Sequence, residues 1–372
     1  MKILIVGPAH PLRGGIANFT ERLALEFIDQ NEAVEVLSFS LQYPAFLFPG
    51  KSQYTTKPKP GIKIHTRINS VNPLNWIRSG LWVRKQQYDL IIFMYWLPLM
   101  APALGTISRI AGKKAFRLAQ LHNMIPHEKH FLDRILSAYF VKSMDGFVAL
   151  SQSVLDDLAM FDKKKPRAIN PHPIYDNFGE ITNKTAARKK LNLDPDTPVV
   201  LFFGFIRKYK GLDILLNAAG DKRIKQKNIQ IVVAGEFYDD PTEYKQIIEE
   251  NKLDNVILRN EFIADEEVGL FFSACDLVVQ PYRNATQSGV TQIAFHFEKP
   301  MVVTNVGGLS EIVPHNKAGY VVNPDPIKIA GAINDFFDHN RSSEMIENVK
   351  KEKARYSWDK LVLKFRSLLE NK

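Results

Sequence analysis

The sequence predicts an α/β protein with two doubly wound parallel sheets, one in each half of the chain. The first observation is length, since 372 residues exceed what a single hydrophobic core usually organises and favour two domains. The second is a series of short β-branched runs that alternate with helical stretches, which is typical of parallel sheets covered by helices. The third is that this series restarts near residue 199, so each half is predicted to form its own Rossmann-like domain.

Six strands are predicted in each half of the chain. In the first half they span residues 3–6, 33–38, 63–65, 90–94, 117–121 and 146–150. In the second half they span residues 199–203, 229–234, 256–259, 277–280, 301–304 and 319–322. Prolines between residues 170 and 198 oppose regular pairing and place the boundary there. The predicted domains are residues 1–175 and 176–355, and an amphipathic helix at 356–372 could pack back on the first domain.

The composition favours a globular protein of a reducing compartment, which we expect to be the cytoplasm. Hydrophobic residues make up 45% and charged residues 24%, and the only cysteine is Cys275, so no internal disulfide can form. The first residues are interpreted as a strand and not as a signal peptide. Residues 90–111 are apolar and about long enough to span a bilayer, but Pro98 and Pro102 favour a buried strand, a turn and a helix.

The net charge of +9 lies almost entirely in the first half of the chain. Residues 1–180 contain 22 Lys and Arg against 14 Asp and Glu, whereas residues 181–372 contain 27 against 26. A basic half would favour an anionic partner such as phospholipid headgroups or a lipid diphosphate. Ordinary solubility charge explains the same count, so an anionic membrane surface is an expectation and not a conclusion.

Two features of the first half point to a ligand. Gly14 and Gly15 lie between the first strand and the first helix, where glycine lets the backbone approach a phosphate and the helix N-terminus offers N–H groups. His122 directly follows a predicted strand, and a histidine there can orient or accept a proton from a sugar hydroxyl. A packing role is the alternative for both features. His127, Glu128 and His130 are too weak a set to predict a metal site.

The second half carries cations and glycines at predicted strand ends. Arg207, Lys208 and Lys210 follow the first strand of this half, at the sheet edge where open α/β sheets bind ligands. Such cations would stabilise a departing diphosphate, although a solvated basic loop is the alternative. Ser288 and Gly289 lie where a later helix begins and offer further N–H groups to a phosphate.

Taken together, these features resemble family 4 of the retaining GT-B glycosyltransferases over almost the whole chain. The shared order is a Gly-Gly turn, a mid-domain His, a Gly-x-x-x-x-x-Lys-Gly turn, a phosphate turn, Lys-Pro, and Val-Gly-Gly-x-x-Glu. The resemblance implies the GT-B fold, in which two Rossmann-like domains face each other across a cleft. It also implies transfer with retention at the anomeric carbon and without a metal or another cofactor, because the nucleotide sugar is itself a substrate.

Carried over residue by residue, the resemblance implies catalytic roles for His122, Arg207 and Lys210. Phe205 occupies the position of the family's arginine in the turn, so Arg207 is the expected substitute. The implied contacts to the donor diphosphate come from Gly14, Gly15, Arg207, Lys210, Ser288, Gly289 and Val290.

One departure from the family pattern concerns its paired glutamates, which are spaced eight residues apart. Counting back from Lys-Pro places them at Ala285 and Ile293, and neither side chain can ionise or accept a sugar hydroxyl. Gln287, Gln292 or Glu311 could supply the contacts to donor sugar and nucleoside instead. The departure indicates a subgroup with different donor handling or, alternatively, a protein that has lost catalysis.

The expected function is transfer of a sugar from a nucleotide-sugar donor to a glycan or lipid-linked acceptor in surface polysaccharide biosynthesis. The expected location is cytoplasmic and peripheral on the inner face of the plasma membrane. The alternatives are a GT-B sugar epimerase or phosphorylase and a non-catalytic nucleotide-sugar-binding protein. A sequence pI near 9.3 is compatible with nucleic-acid binding, but the sequence contains no aromatic-rich basic motif. Nucleic acid is therefore not an expected partner.

Overall fold

The computed structural model describes residues 1–44, 53–55, 58–125, 132–238, 240–285 and 288–370. The chain divides into two compact units. The first unit consists of Met1–Pro173 together with Trp358–Lys372, and the second consists of Ile174–Ser357. The C-terminal segment is therefore part of the first unit, although it follows the second in sequence.

The first unit is built on a seven-stranded sheet whose paired strands are all parallel. Its strands are β1 Lys2–Val6, β2 Ala33–Leu41, β3 Lys63–Asn69, β4 Leu90–Tyr95, β5 Phe116–Leu121, β6 Gly146–Ala149 and β7 Arg167–Ile169. Their order is β3-β2-β1-β4-β5-β6-β7, so the winding direction reverses between β1 and β4. The six predicted strands are confirmed, and β7 escapes prediction because three half-buried residues are too short to show a period.

The second unit is built on a six-stranded parallel sheet. Its strands are β8 Val199–Phe203, β9 Gln230–Ala234, β10 Val256–Arg259, β11 Leu277–Gln280, β12 Met301–Thr304 and β13 Gly319–Val322. The order β10-β9-β8-β11-β12-β13 reverses between β8 and β11. All six predicted strands are confirmed, because runs such as Val199–Phe203 are buried along their whole length and show the apolar signal of a parallel strand.

Helices cover both sheets. In the first half they are α1 Gly15–Asp29, α2 Pro73–Gln86, α3 Ala101–Ala111, α4 Asp133–Val141 and α5 Gln152–Leu158. The remainder are α6 Lys184–Lys190, α7 Leu212–Ala219, α8 Lys222–Gln226, α9 Thr242–Glu250, α10 Asp265–Ala274, α11 Gly289–His296, α12 Leu309–Ile312, α13 Pro326–Asp338, α14 Ser342–Lys353 and α15 Trp358–Glu370. Short 3-10 turns occur at Pro98–Met100, Lys208–Lys210 and Ala354–Tyr356.

The apolar segment 90–111 folds as the sequence predicts. It forms the buried strand β4, the 3-10 turn Pro98–Met100 and then α3. In the described ranges of the chain, no helix combines the length and the apolar character that crossing a bilayer requires.

The last helix, α15, completes the core of the first unit. Its buried residues recur at helical spacing, and the ring of Phe365 lies 6.2 Å from that of Phe27 on α1. Trp358 at the start of α15 packs edge-on against Phe19, with 4.9 Å between ring centroids. Burying each of these large side chains contributes about 1.5–3 kcal/mol, so α15 is a structural part of the unit.

Candidate functional site

The turn after β8 lies where the winding of the second sheet reverses, the place at which open α/β sheets bind ligands. Gly204 directly follows β8 and has a φ of 96°, and Gly211 directly precedes α7 and has a φ of 67°, values that favour glycine. A Cβ on Gly211 would lie 2.1 Å from the carbonyl oxygen of Pro281, in the loop after β11. The close approach of these two loops therefore requires glycine at this position.

An ion pair joins the same two loops. The guanidinium of Arg283 donates to both carboxylate oxygens of Asp213, at 2.7 and 2.5 Å. The backbone N–H of Arg283 donates to the carbonyl of Tyr209 at 2.7 Å. Two parallel hydrogen bonds of this kind restrict both the distance and the relative orientation of the two side chains. The loop that carries Lys210 is thus tied to the loop that leads to α11, a link that the sequence analysis did not predict.

Lys210 is the buried cation of the site. Only 9% of the residue is exposed, and its Nζ lies 5.6 Å from the ring centroid of Tyr282. Burial and then the neighbouring charge of Arg207 lower its pKa to about 8. No carboxylate of the described residues forms an ion pair with it. Because a buried charge without a partner is costly, the arrangement is suited to an anionic ligand.

The start of α11 is brought beside Lys210. The Nζ atom lies 3.1 Å from where a Cβ on Gly204 would be, and Cγ2 of Val290 lies 3.6 Å from the same point. The Tyr282 hydroxyl that faces this region is 3.4 Å from Oγ of Ser288, the residue preceding α11. The Ser288 side chain makes no capping hydrogen bond to the helix. The first N–H groups of α11 therefore have no side-chain cap from Ser288 and lie near a cation.

Arg207 is held by an aromatic side chain that the sequence analysis missed. Its guanidinium carbon lies 4.4 Å from the ring centroid of Tyr238, a cation–π contact. Phe205 packs edge-on against the same ring, with 4.8 Å between centroids. Tyr238 follows β9 by four residues, and no spacing rule links it to Arg207 in the sequence. Their proximity depends on the pairing of β8 with β9.

The structure brings together part of the predicted diphosphate set. Lys210, Ser288 and Val290 are connected by the contacts just described, and Arg207 lies close enough to Lys210 for its charge to lower the pKa of that lysine. Gly289 lies under the ring of Tyr175, since a Cβ there would be 2.8 Å from a ring carbon.

The positions of the missing glutamates are apolar and buried. Ala285 is 3% exposed and Ile293 is 5% exposed. Gln292 on α11 is fully buried, and neither atom of its amide has a hydrogen-bond partner among the described residues. Glu311 is exposed on the short helix α12, and Gln287 lies outside the described residues. Gln292 is therefore the member of this predicted set with an unsatisfied buried polar group.

The remaining predicted residues lie in the first unit. Gly14 has a φ of 120° and precedes α1, which begins at Gly15. A Cβ on Gly14 would meet no atom within 4 Å, so its left-handed conformation, and not crowding, favours glycine. The N-terminus of α1 therefore lies at the carboxyl end of β1, beside the reversal of the first sheet.

His122 directly follows β5, and its N–H donates to the carbonyl of Tyr95 at 2.8 Å. Its ring is buried and packs edge-on against Phe19 at 4.7 Å, and His172 packs against the same phenyl ring at 5.1 Å. Burial, reinforced by the neighbouring His172, lowers the pKa of His122 to about 3. The imidazole is therefore neutral near pH 7.

No metal cluster is found among the described residues, where no three His, Cys, Asp or Glu side chains could together hold an ion. His127, Glu128 and His130 lie outside the described residues.

Two protein-family models match the chain. The model described as Glycosyltransferase Family 4 matches residues 13–172, and the model described as Glycosyl transferases group 1 matches residues 183–353. The chain is a glycosyltransferase with the GT-B fold. Both matches fall within the units defined by the structure, one on each parallel sheet.

Known proteins similar to this glycosyltransferase agree with that assignment. The D-inositol 3-phosphate glycosyltransferase 2 of Catenulispora acidiphila is 25% identical over 302 residues, which cover 73% of this chain and 68% of the relative. Sucrose-phosphate synthase from Thermosynechococcus elongatus superposes with a TM-score of 0.78 at 17% identity, covering 100% and 99% of the two chains. Anabaena HepE in complex with UDP superposes with a TM-score of 0.76 at 19% identity, covering both chains fully.

Proposed function

We propose that this glycosyltransferase moves a sugar from a nucleotide-sugar donor to a glycan or lipid-linked acceptor in surface polysaccharide biosynthesis. The observation that carries the proposal is Lys210, a buried cation that no described carboxylate pairs and that lies beside the start of α11. HepE structures that contain UDP and UDP-glucose support a nucleotide-sugar donor. Retention at the anomeric carbon is proposed on the resemblance to family 4.

In this proposal, the second unit binds the donor through its diphosphate. Arg207 and Lys210 neutralise the negative charge that grows on the nucleoside diphosphate as it departs. Backbone N–H groups of Ser288, Gly289 and Val290 bind phosphate oxygens at the positive end of α11. The diphosphate would provide Lys210 with the counter-charge that the described protein residues do not supply.

Gln292 and Glu311 are proposed to contact the donor sugar or nucleoside in place of the paired glutamates. Gln292 supports this role because its buried amide could be satisfied by a ligand hydroxyl. Gln287 is proposed for the same set on its sequence position. The first unit is proposed to contribute Gly14 and Gly15 to diphosphate binding and a neutral His122 beside the transferring sugar.

The location proposed for the enzyme is the cytoplasm, on the inner face of the plasma membrane. A lipid-linked acceptor would require the enzyme to reach that surface. The basic excess of the first half of the chain supports the proposal, because this leaflet carries anionic lipid.

Replacing Lys210 tests the proposed donor site. A panel of nucleotide sugars is first screened by thermal shift, and turnover is then measured for the donor that stabilises the enzyme. Lys210→Met keeps the apolar stem and removes the charge, so we expect turnover to fall roughly ten- to a thousandfold. In the wild type, donor affinity should weaken as the pH rises through about 8, where free Lys210 loses its proton, and this dependence should disappear in the variant.

Lys208→Gln is the matched control, because the Lys208 side chain is 79% exposed in the same turn. We expect its turnover to stay near that of the wild type. Near-normal turnover of Lys210→Met would refute the proposed role. Release of free sugar or sugar phosphate without an acceptor would instead support an epimerase or a phosphorylase.

A further inference from the structure

The basic excess of the first half of the chain is concentrated in one segment. Residues 36–88 contain eight Lys and Arg residues and no Asp or Glu, which equals the whole excess of residues 1–180. Within this segment, α2 carries Arg78, Arg84 and Lys85. No carboxylate of the described residues forms an ion pair with these three side chains, which are all exposed.

The outward side of α2 combines these cations with apolar side chains. Leu74, Ile77 and Leu81 are 66%, 43% and 53% exposed. At 3.6 residues per turn, these three residues and the three cations fall within an arc of roughly 120°. An exposed apolar stripe that is flanked by cations and lacks acidic residues is typical of helices that lie in a membrane interface.

This outward face is fixed by close packing on the opposite side of the helix. A Cβ on Gly80 would lie 2.7 Å from Cβ of Ile110, so α2 approaches α3 closely. Val83 and Ser79 are buried on the same side. The helix cannot rotate to bury its exposed leucines without breaking this contact.

Neighbouring elements carry further cations and exposed apolar side chains. A cavity of about 100 Å³ lies beside the end of α2 and is lined by Arg84, Lys113 and Lys114. α4 also packs against α3 and exposes Ile135, while Leu132 is exposed just before that helix. Cations around a small cavity next to apolar side chains match the chemistry of a phosphate headgroup and its acyl chains.

We propose that the outward face of α2 docks the enzyme on an anionic lipid bilayer. Leu74, Ile77 and Leu81 enter the boundary between headgroups and acyl chains, while Arg78, Arg84 and Lys85 contact lipid phosphates. The occupant is inferred from charge complementarity, because this face is strongly basic over an apolar stripe. The inference deepens the proposed membrane location by naming the residues that contact the lipid.

The test is co-sedimentation of the full chain with vesicles of equal parts phosphatidylcholine and phosphatidylglycerol, compared with vesicles of phosphatidylcholine alone. We expect binding to the anionic vesicles that weakens with added salt. A variant with Arg78→Gln, Arg84→Gln and Lys85→Gln should bind roughly a hundredfold more weakly, since each cation contributes to the attraction. A variant with Leu74→Ser, Ile77→Ser and Leu81→Ser should lose at least about tenfold.

A control variant with Lys245→Gln, Lys252→Gln and Lys317→Gln removes the same charge from exposed positions of the second unit. It should bind the anionic vesicles as the wild type does. Equal loss in the control, or full binding by the serine variant, would overturn the proposal. The proposal would also be overturned if sedimentation equilibrium showed a wild-type dimer and the serine variant were a monomer. The face would then join two copies of the chain.

The vesicle assay contains no nucleotide sugar, so its outcome is independent of the donor site. Lys210→Met should bind vesicles normally even if turnover is lost. Conversely, loss of vesicle binding in the α2 variants should leave turnover with a soluble acceptor unchanged.

Discussion

His122 and His172 are held as neutral rings on one phenylalanine. Both imidazoles are buried, and both pack edge-on against Phe19. Burial lowers the pKa of His122 to about 3 and that of His172 to about 4. Because the His122 imidazole is neutral near pH 7, it cannot act as a cationic acid there. Its proposed role is to form a hydrogen bond to the sugar and position it.

These depressed pKa values predict acid sensitivity of the fold. Below about pH 6.5 the unfolded chain protonates both imidazoles while the folded chain does not, so the free energy of unfolding should fall as the pH is lowered towards 4. Each histidine contributes about 1.4 kcal/mol per pH unit in that range. Urea unfolding between about pH 7 and 5 should show a shallower decline in His172→Phe.

His339→Gln provides the control, because the His339 side chain is 66% exposed and lies 3.1 Å from Asp335, so it has no burial cost that acid would expose. Its decline should be no shallower than that of the wild type. An unchanged decline in His172→Phe would contradict the expected contribution of the buried ring.

At the scale of elements, glycines determine how closely loops can approach. Gly211 adopts a φ of 67° next to the Pro281 carbonyl, whereas Gly331 on α13 has open space around its missing Cβ. Gly211→Ala should destabilise the enzyme by more than about 2 kcal/mol, through the strained backbone and the clash. Gly331→Ala should stabilise it by about 0.5–1 kcal/mol, since alanine is the better helix former.

Chemical denaturation of both variants measures this difference directly. Gly211→Ala should also weaken donor binding, because the displaced turn carries Lys210. Equal stabilities for the two alanine variants would show that the loop after β8 can relax without cost.

At the scale of the molecule, the first unit is discontinuous in sequence. Phe365 on α15 packs against Phe27 on α1, so the end of the chain stabilises its beginning. Phe365→Ala should lower the stability of the first unit by about 3–5 kcal/mol. Phe336, in the core of the second unit, provides the matched control.

Calorimetry should show two unfolding transitions. Phe365→Ala should lower the temperature of one of them, and Phe336→Ala should lower the temperature of the other. If both variants shifted one shared transition, the expectation that the two units unfold separately would be wrong.

The fold class and twelve of the thirteen strands in the described part of the chain could be predicted from the sequence, because buried parallel strands carry a local apolar signal. Lys210 and Ser288 could likewise be proposed from the sequence, because strand ends and helix starts mark ligand-binding turns. Their proximity, the burial that lowers the pKa of Lys210, and the contacts of Tyr238 and Arg283 were decided only by the tertiary structure. Such properties depend on which strands become neighbours, and the order β9-β8-β11 joins segments far apart in the chain.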